Sequence, residues 1–210
     1  MVQNDSPLCA RTARDVVMFA CCCGPPTEED LRRDRVRLYE RSVRANGGRL
    51  LVQGILQRAD AENRNDRIYP LALLQREVAA YQARCVSRGI AYGELNHPDP
   101  AKGTFQAIDP ERTSHRVVDL WWTDGGCAVA GILEVLDDRP AGRRLRKFFS
   151  TGQRVGISSR VWASLDVNEE TEQETVCPDM HLIAWDTVPD PGVGDAWLLP
   201  IPHAYVPPPG

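Results

Sequence analysis

Apolar residues along this chain form two kinds of pattern. A repeat every three or four positions predicts a helix, and short apolar runs bounded by turn residues predict strands. After Pro70, a residue tolerated at the first position of a helix, apolar residues recur every three or four positions. This spacing predicts one buried stripe on an amphipathic helix that runs to about residue 88. The stripe consists of Leu71, Leu74, Val78, Tyr81 and Cys85.

A second helix is predicted between Asp138 and Thr151, because Pro140 lies near its start and Gly152 follows its end. Leu145 and Phe149 belong to its apolar face. Its outer face is basic, and this face fits either a solvated surface or contact with an acidic partner. The basic residues are Arg143, Arg144, Arg146 and Lys147.

Short apolar runs bounded by turn residues predict strands. They cover residues 50–57, 91–97, 116–123, 127–136, 155–165 and 176–188. Between the third and fourth run, Asp124-Gly125-Gly126 predicts a hairpin turn. The whole pattern predicts an α+β fold, in which two or three helices decorate a mostly antiparallel core.

Composition at the two ends predicts three regions. Residues 1–48 form an N-terminal arm, in which Thr27 caps a charged run that is either a solvated helix or a partly ordered segment. Residues 49–200 form the compact domain. Residues 201–210 are rich in proline and are predicted to form an extended tail.

Composition and charge exclude several classes of protein. The chain has 210 residues, a net charge of −4 and 42% hydrophobic residues, which is typical of a soluble globular protein. It lacks an apolar run of about 18 residues, so a membrane-spanning protein is not expected. The mildly acidic balance argues against a general nucleic-acid-binding surface.

Seven cysteines are present, and three of them are adjacent at Cys21–Cys23. None forms a Cys-x-x-Cys pair, so we expect no structural zinc site, and a reducing compartment is the simplest interpretation. The apolar segment Val16–Cys23 could be the core of a signal peptide. However, Asp15 precedes it and no convincing cleavage site follows, so we expect a loose tail here.

Among the four histidines, His97 is the best candidate for a general base. It ends a predicted strand, and the following Pro98 restricts the backbone at a place where a cleft could form. His115 is expected to be structural or at the surface. His181 is expected at the surface, and His203 lies in the tail and is expected to be inert.

Two hydroxyls and a guanidinium follow Gly156 in an apolar strand: Ser158, Ser159 and Arg160. Neighbouring strand residues face opposite sides, so only one serine can point toward a site that contains His97. Gly156 would let a substrate backbone approach closely. An edge strand with two polar residues is the alternative interpretation.

A carboxylate on another apolar strand, Asp186, lies next to Trp185 and near Val188. Partial burial of this acid would require a partner, and a histidine would satisfy it. Such a pair would orient the imidazole for proton transfer. A surface acid at a strand end is the alternative.

Three segments together resemble the prohead core proteases of large tailed bacteriophages, which are serine endopeptidases of capsid maturation. The resemblance runs from about residue 50 to residue 200, with the segments in matching order. It implies a fold similar to that of the herpesvirus assemblins, with a β-barrel-like core. The segments are Asn63-Arg64-Asn65-Asp66-Arg67-Ile68-Tyr69-Pro70, Gly93-Glu94-Leu95-Asn96-His97-Pro98 and Val155-Gly156-Ile157-Ser158-Ser159-Arg160.

The resemblance implies that His97 is the general base and that Ser158 is the nucleophile, with Ser159 as the runner-up. For the third member we choose Asp186, because in the related viral fold this group comes from the strand after the nucleophile strand. Glu94 is the alternative, although its spacing from His97 puts the two side chains on opposite faces of a strand.

Backbone N–H groups of the loop from Asp190 to Asp195 are candidates to bind the oxyanion, because Gly192 and Gly194 would let this loop turn its amides inward. Arg160 is a candidate cationic aid. The chain departs from the family pattern at Val161 and Ala163, where glycines are usual, and in the residues after Asp186. These departures bear on the oxyanion loop and on specificity.

The family implies as substrates the scaffold proteins and capsid precursors, cleaved after acidic residues inside an assembling prohead in the host cytoplasm. Self-cleavage and a homo-oligomer are compatible with it, whereas cofactors, nucleic acid and membranes are not implied. An acidic preference would require a cationic pocket, to which Arg160, Arg154 or Arg116 could contribute. The competing hypotheses are an inactive protease-derived assembly protein and an unrelated β-domain hydrolase.

Overall fold

The computed structural model describes residues 26–99 and 105–207. The predictions about Val16–Cys23 therefore lie outside the described residues. The described residues contain three α-helices: α1 (Glu28–Ala45), α2 (Leu71–Tyr81) and α3 (Pro140–Ser150). In the described part of the chain, no helix has the length and apolar character needed to cross a membrane.

The charged run after Thr27, expected as a solvated helix or a partly ordered segment, forms a capped helix that is docked on the domain. The Thr27 hydroxyl accepts a hydrogen bond from the Asp30 backbone, and the Asp30 carboxylate accepts one from the Thr27 backbone. Arg32 and Arg35 donate to the carbonyls of Thr151 and Gly152, each at 2.7 Å. These bonds satisfy carbonyls that the end of α3 leaves unpaired, so they hold α1 against the domain.

The described residues form ten strands. They are β1 (Leu51–Arg58), β2 (Arg67–Ile68), β3 (Tyr92–Glu94), β4 (Thr113–Thr123), β5 (Ala128–Val135), β6 (Gly156–Trp162), β7 (Leu165–Val167), β8 (Glu174–Val176), β9 (His181–Val188) and β10 (Leu199–Pro200). The longer ones follow the predicted runs, whereas the short β2 and β10 lie outside them. The predicted run 155–165 is divided between β6 and β7. The run 176–188 is interrupted after β8, where Pro178 cannot donate to a ladder.

The strands form three sheets. An antiparallel five-stranded sheet has the order β10-β1-β5-β4-β3, a three-stranded sheet has the order β2-β8-β7, and β6 pairs with β9. The expected α+β class is confirmed, and the pairing is antiparallel except between β2 and β8.

The barrel-like core that we expected is not confirmed. None of the sheets formed by the described strands closes into a barrel. At one edge, β3 and the β6–β9 pair are joined by a single bridge between Leu95 and Thr187. At the other, Gly156 bridges Trp197, the second residue before β10. At each edge, the β6–β9 pair is thus joined to its neighbour by an isolated bridge, whereas a closed barrel would have a continuous ladder.

The main core lies between one face of the five-stranded sheet, α2, α3 and the β6–β9 pair. Trp185 of β9 is fully buried, and its ring meets that of Tyr81 edge to face at 5.1 Å. The predicted helix stripe is broadly confirmed, although Gln82–Val86 forms a π-helical turn after α2. This packing fixes β9, the strand that carries Asp186.

His115 is fully buried inside this core. Of the two positions expected for it, structural or at the surface, the structure therefore supports the structural one. Nδ1 of His115 is 2.9 Å from the Ser114 hydroxyl, and its Nε2 is 3.0 Å from the Trp185 carbonyl. The carbonyl requires a donor, so Nε2 carries the proton and Nδ1 accepts from Ser114. Complete burial lowers the pKa of His115 to about 4, against the opposing effect of Asp186.

This buried histidine predicts an acid-dependent loss of stability. Between pH 6.5 and about 4, the unfolded chain binds a proton at His115 and the native protein does not, so the free energy of unfolding falls as the pH falls. The full shift corresponds to roughly 3 kcal/mol. Urea denaturation across this range should show a shallower pH slope for His115→Gln, whereas the exposed control His203→Gln should keep the wild-type slope. Equal slopes in all three proteins would contradict the prediction.

Candidate active site

The pairing of β6 with β9 places one serine beside an acid. Ser158 lies directly opposite Asp186, and Ser159 lies directly opposite Trp185. Since opposed residues share a face of the sheet, Ser158 and Asp186 lie on the same side. The Ser159 hydroxyl is instead directed toward β1, where it donates to the side-chain oxygen of Gln57 at 3.0 Å.

His97 reaches the same acid from a third segment. The backbone beyond β3 runs beside β9, because Leu95 bridges Thr187 and the Asn96 amide donates to the Thr187 carbonyl at 2.8 Å. Nδ1 of His97 then lies 2.7 Å from Oδ2 of Asp186. The imidazole is therefore held by the acid that lies opposite Ser158.

Asp186 is fully buried, yet its carboxylate is surrounded by donors. Burial by itself would raise the pKa, but the hydrogen bonds from His97 and Arg160 lower the pKa of Asp186 below its ordinary value. The acid is therefore ionised at neutral pH. Since an ionised carboxylate can only accept, the proton of the 2.7 Å hydrogen bond resides on Nδ1 of His97. Nε2 is then free to accept a proton.

Arg160 is also fully buried, and it binds carboxylates rather than facing the cleft. Its Nε and Nη2 each donate to Asp186 at 2.8 Å, and Nη2 lies 3.0 Å from Glu94. Its Nη1 donates to the Ala107 carbonyl at 2.9 Å and to the Phe105 carbonyl at 3.3 Å. Burial opposes the charge of this guanidinium, but the two carboxylates raise the pKa of Arg160 overall. This placement favours a role in holding Asp186.

Glu94, the alternative third member, lies behind this pair. It is fully buried, and its carboxylate binds Arg160 and the Nε of Arg112 at 2.8 Å. Arg112 in turn donates to the carbonyls of Asn96 and His97. Glu94 also donates its backbone N–H to Oδ1 of Asp186 at 2.8 Å. It therefore supports the segment that carries the imidazole, while Asp186 contacts the ring.

A cavity of about 220 Å³ opens beside these groups. Its wall contains His97, whose side chain is 33% exposed, together with both Ser158 and Ser159. The expectation that only one serine faces the site is therefore not met at the cavity, and the two serines differ instead in that Ser158 lies opposite Asp186. The wall also includes Gly192 of the expected oxyanion loop. The three motif segments and this loop are thus brought together at one cleft.

The other predicted glycines are not on the cavity wall. A Cβ on Gly156 would lie 2.7 Å from the Pro191 ring, so this glycine admits the neighbouring loop. The carbonyl of Gly194 accepts a hydrogen bond from the Trp197 indole at 3.1 Å. These contacts indicate that both glycines shape the loop from residue 189 to residue 195.

The arginines proposed for a cationic pocket lie elsewhere, and sequence reasoning missed the one that lines the cavity. Arg154 stacks on Trp197 with 3.8 Å between the guanidinium carbon and the ring centroid, and Arg116 pairs with Glu134. Arg67 is on the cavity wall, with Asn63 and Asn65 nearby on the same wall. All three residues belong to the segment from Asn63 to Pro70, which supported the family resemblance. That segment is the sequence signal that could have indicated them as site residues.

Comparisons with known proteins show the family to which this chain belongs. A family model described as prohead core protein serine protease matches residues 34–206. The prohead core protein protease of Enterobacteria phage T4 is 34% identical over 154 residues, which are 72% of this chain and 68% of that protein.

A solved structure also matches. The structure of the bacteriophage T4 capsid assembly protease gives a TM-score of 0.60 at 30% sequence identity, and the match covers 67% of this chain and 82% of that chain. The resemblance that the three segments indicated is therefore confirmed. This chain belongs to the prohead core protein serine protease family of bacteriophages.

Proposed function

We propose that this capsid-maturation protease is a serine endopeptidase in which Ser158 is the nucleophile, His97 the general base and Asp186 the acid that orients it. The observation that carries the proposal is the 2.7 Å hydrogen bond between His97 and an Asp186 that lies opposite Ser158. Ser158 and His97 also share one cavity, which offers space for a peptide.

In this mechanism, Nε2 of His97 removes the proton of the Ser158 hydroxyl as its oxygen attacks a peptide carbonyl. Asp186 stabilises the imidazolium that forms. When the tetrahedral intermediate collapses, the imidazolium gives its proton to the leaving amine, and an acyl-enzyme remains. A water molecule, deprotonated by His97, then releases the acid product and restores the serine. Arg160 holds Asp186 throughout and acts as a positioning residue.

The family supports substrates from the prohead itself. We propose that the enzyme works inside an assembling prohead in the host cell, where it cleaves scaffold and capsid precursor proteins and also its own chain. The reaction needs neither a cofactor nor nucleic acid, and a homo-oligomer is compatible with it.

The cavity wall supports cleavage after acidic residues. Among the described residues of this wall, Arg67 is the one arginine and no carboxylate is present. Arg67 is anchored by Glu174, with 2.9 Å between its Nε and Oε2. Glu174 also binds Nη2, so a glutamate side chain of a substrate would meet the remaining nitrogen, Nη1, of a guanidinium that is held in place.

We expect Ser158→Ala to lower proteolysis by about a thousandfold or more, because no other nucleophile lies opposite Asp186 in the described strands. Ser159→Ala removes a hydrogen bond to Gln57 and should retain activity within a few-fold. Cleavage of the scaffold protein on gels, and labelling by a fluorophosphonate read by mass spectrometry, would check both. If Ser159→Ala were inactive and Ser158→Ala active, the assignment of the nucleophile would be wrong. If wild-type protein in assembled proheads were neither labelled nor proteolytic, the inactive assembly protein would be supported instead.

We expect Asp186→Asn to lower kcat/KM by about 10⁴-fold, since a neutral amide does not hold His97 in the required tautomer. Glu94→Gln serves as the comparison, because Glu94 binds Arg160 and Arg112 without contacting the ring. It should lower the melting temperature and leave more activity than Asp186→Asn at a temperature where both are folded. The opposite order of activities would make Glu94 the orienting acid.

We expect Arg67→Gln to lower kcat/KM for a peptide with glutamate before the cleaved bond by about tenfold or more, since a charge-assisted hydrogen bond is lost. Arg67→Lys should retain most of the preference for glutamate over glutamine. Arg154→Gln is the matched control, because Arg154 stacks on Trp197 away from the cavity wall. An unchanged preference in Arg67→Gln would exclude Arg67 as the specificity determinant.

A further inference from the structure

We propose that the side-chain amide of Asn65, with that of Asn63 beside it, donates hydrogen bonds to the oxyanion that forms when Ser158 attacks a peptide. This proposal rests on the proposed function and extends it to the Asn-Arg-Asn segment, which the mechanism above leaves without a role. Both asparagines lie on the wall of the cavity that contains His97 and Ser158.

Asn63 is oriented by its own turn. Its side-chain oxygen accepts hydrogen bonds from the backbone N–H groups of Asn65 at 2.8 Å and of Arg67 at 3.2 Å. With the oxygen engaged inside the turn, the amide nitrogen is directed outward. That nitrogen lies 4.0 Å from the place that a Cβ would occupy on Gly192. The turn therefore presents a donor toward the loop on which we expected the oxyanion site.

Arg64 locks this turn to the same loop. Its backbone N–H donates to the Gly192 carbonyl, and its Nη1 donates to the Asp190 carboxylate, each at 2.8 Å. The second contact also pairs the negative charge of Asp190, which would otherwise repel an oxyanion forming nearby. The backbone of the turn that carries Asn63 and Asn65 is thus held in a fixed place relative to Gly192.

The amide of Asn65 occupies the space that a side chain at residue 192 would need. Its nitrogen lies 2.9 Å from the ideal Cβ position of Gly192, which is closer than a carbon atom tolerates. Within the described part of the chain, neither this nitrogen nor that of Asn63 donates a hydrogen bond, so both are available to a substrate. Glycine at position 192 therefore makes room for the Asn65 donor at the cavity wall.

The electrostatics of the wall suit an anion. Its described residues combine the two amides with Arg67 and include no carboxylate. Donors that are fixed before the reaction stabilise charge that develops in the transition state. An asparagine in this role in other serine hydrolases contributes about 10²–10³-fold to kcat, which sets the scale expected here.

The test compares Asn65→Ala with wild-type protein, using a fluorophosphonate whose phosphoryl oxygen takes the place of the carbonyl oxygen. We expect the maximal rate of Ser158 labelling to fall about tenfold or more, with the half-saturating probe concentration changed by less than about threefold. The melting temperature should not change, because the Asn65 side chain makes no hydrogen bond in the described protein. Glu62→Ala, an exposed neighbour outside the cavity wall, is the control and should behave as wild type.

Two further variants test the geometry. Asn63→Asp keeps an oxygen that can accept from the Asn65 and Arg67 backbones, so the turn should persist while the donor is lost and labelling slows. Gly192→Ala should slow labelling by displacing the Asn65 amide. If this is how it acts, the double variant Asn65→Ala/Gly192→Ala should be no slower than Asn65→Ala alone.

The outcomes distinguish a failure of the oxyanion role of Asn65 from a failure of the proposed serine endopeptidase function. Labelling of Asn65→Ala at the wild-type rate, or a loss seen only in the half-saturating concentration, would overturn the oxyanion role and leave the proposed function intact. A wild-type protein that neither reacts with the probe at Ser158 nor cleaves scaffold protein would overturn the proposed function, and the oxyanion role with it.

Discussion

The site depends on keeping one carboxylate, that of Asp186, ionised inside the protein. Burying a charge costs on the order of several kcal/mol, and Asp186 is fully buried. Four hydrogen bonds offset this cost: one from the backbone of Glu94, one from the ring of His97 and two from the guanidinium of Arg160. Because the donors come from two further segments of the chain, the carboxylate also fixes where those segments lie.

The charges around Asp186 are balanced. Asp186 and Glu94 face Arg160 and Arg112, so the four formal charges sum to zero while His97 is neutral. Removing one member would leave a buried charge without its partner, which is more costly than exchanging the whole set for apolar residues. The four residues are therefore interdependent, and in the proposed mechanism Arg160 acts through Asp186, since it does not line the cavity.

The cleft lies where the sheets fail to close. Gly156 bridges Trp197 and the Ile157 amide donates to the Ala196 carbonyl, but beyond Ile157 no described strand pairs with β6 on this side. The segment from residue 63 to residue 69, together with Gly192 and Val193, forms the facing wall. Ser158 and Ser159 line the cavity beside this unpaired part of β6.

Local patterns in the sequence were sufficient for much of the fold. The cap at Thr27, the helix after Pro70 and the strands around Ser158 and Asp186 all follow from short-range spacing. Each of these features is determined within a few residues, where side-chain period and backbone preference act directly. The strand predicted to end at His97 is shorter than expected, because β3 ends at Glu94 and His97 lies three residues beyond it.

The tertiary structure decided what these elements contact. Alternation along β6 predicts that Ser158 and Ser159 face opposite sides, but only the register with β9 shows which one lies opposite Asp186. Likewise, no local pattern indicates that Arg160 reaches into the interior, or that the turn at Asn65 packs on Gly192, more than 100 residues away in the chain. Such contacts depend on how distant strands pair, which is a property of the whole folded chain.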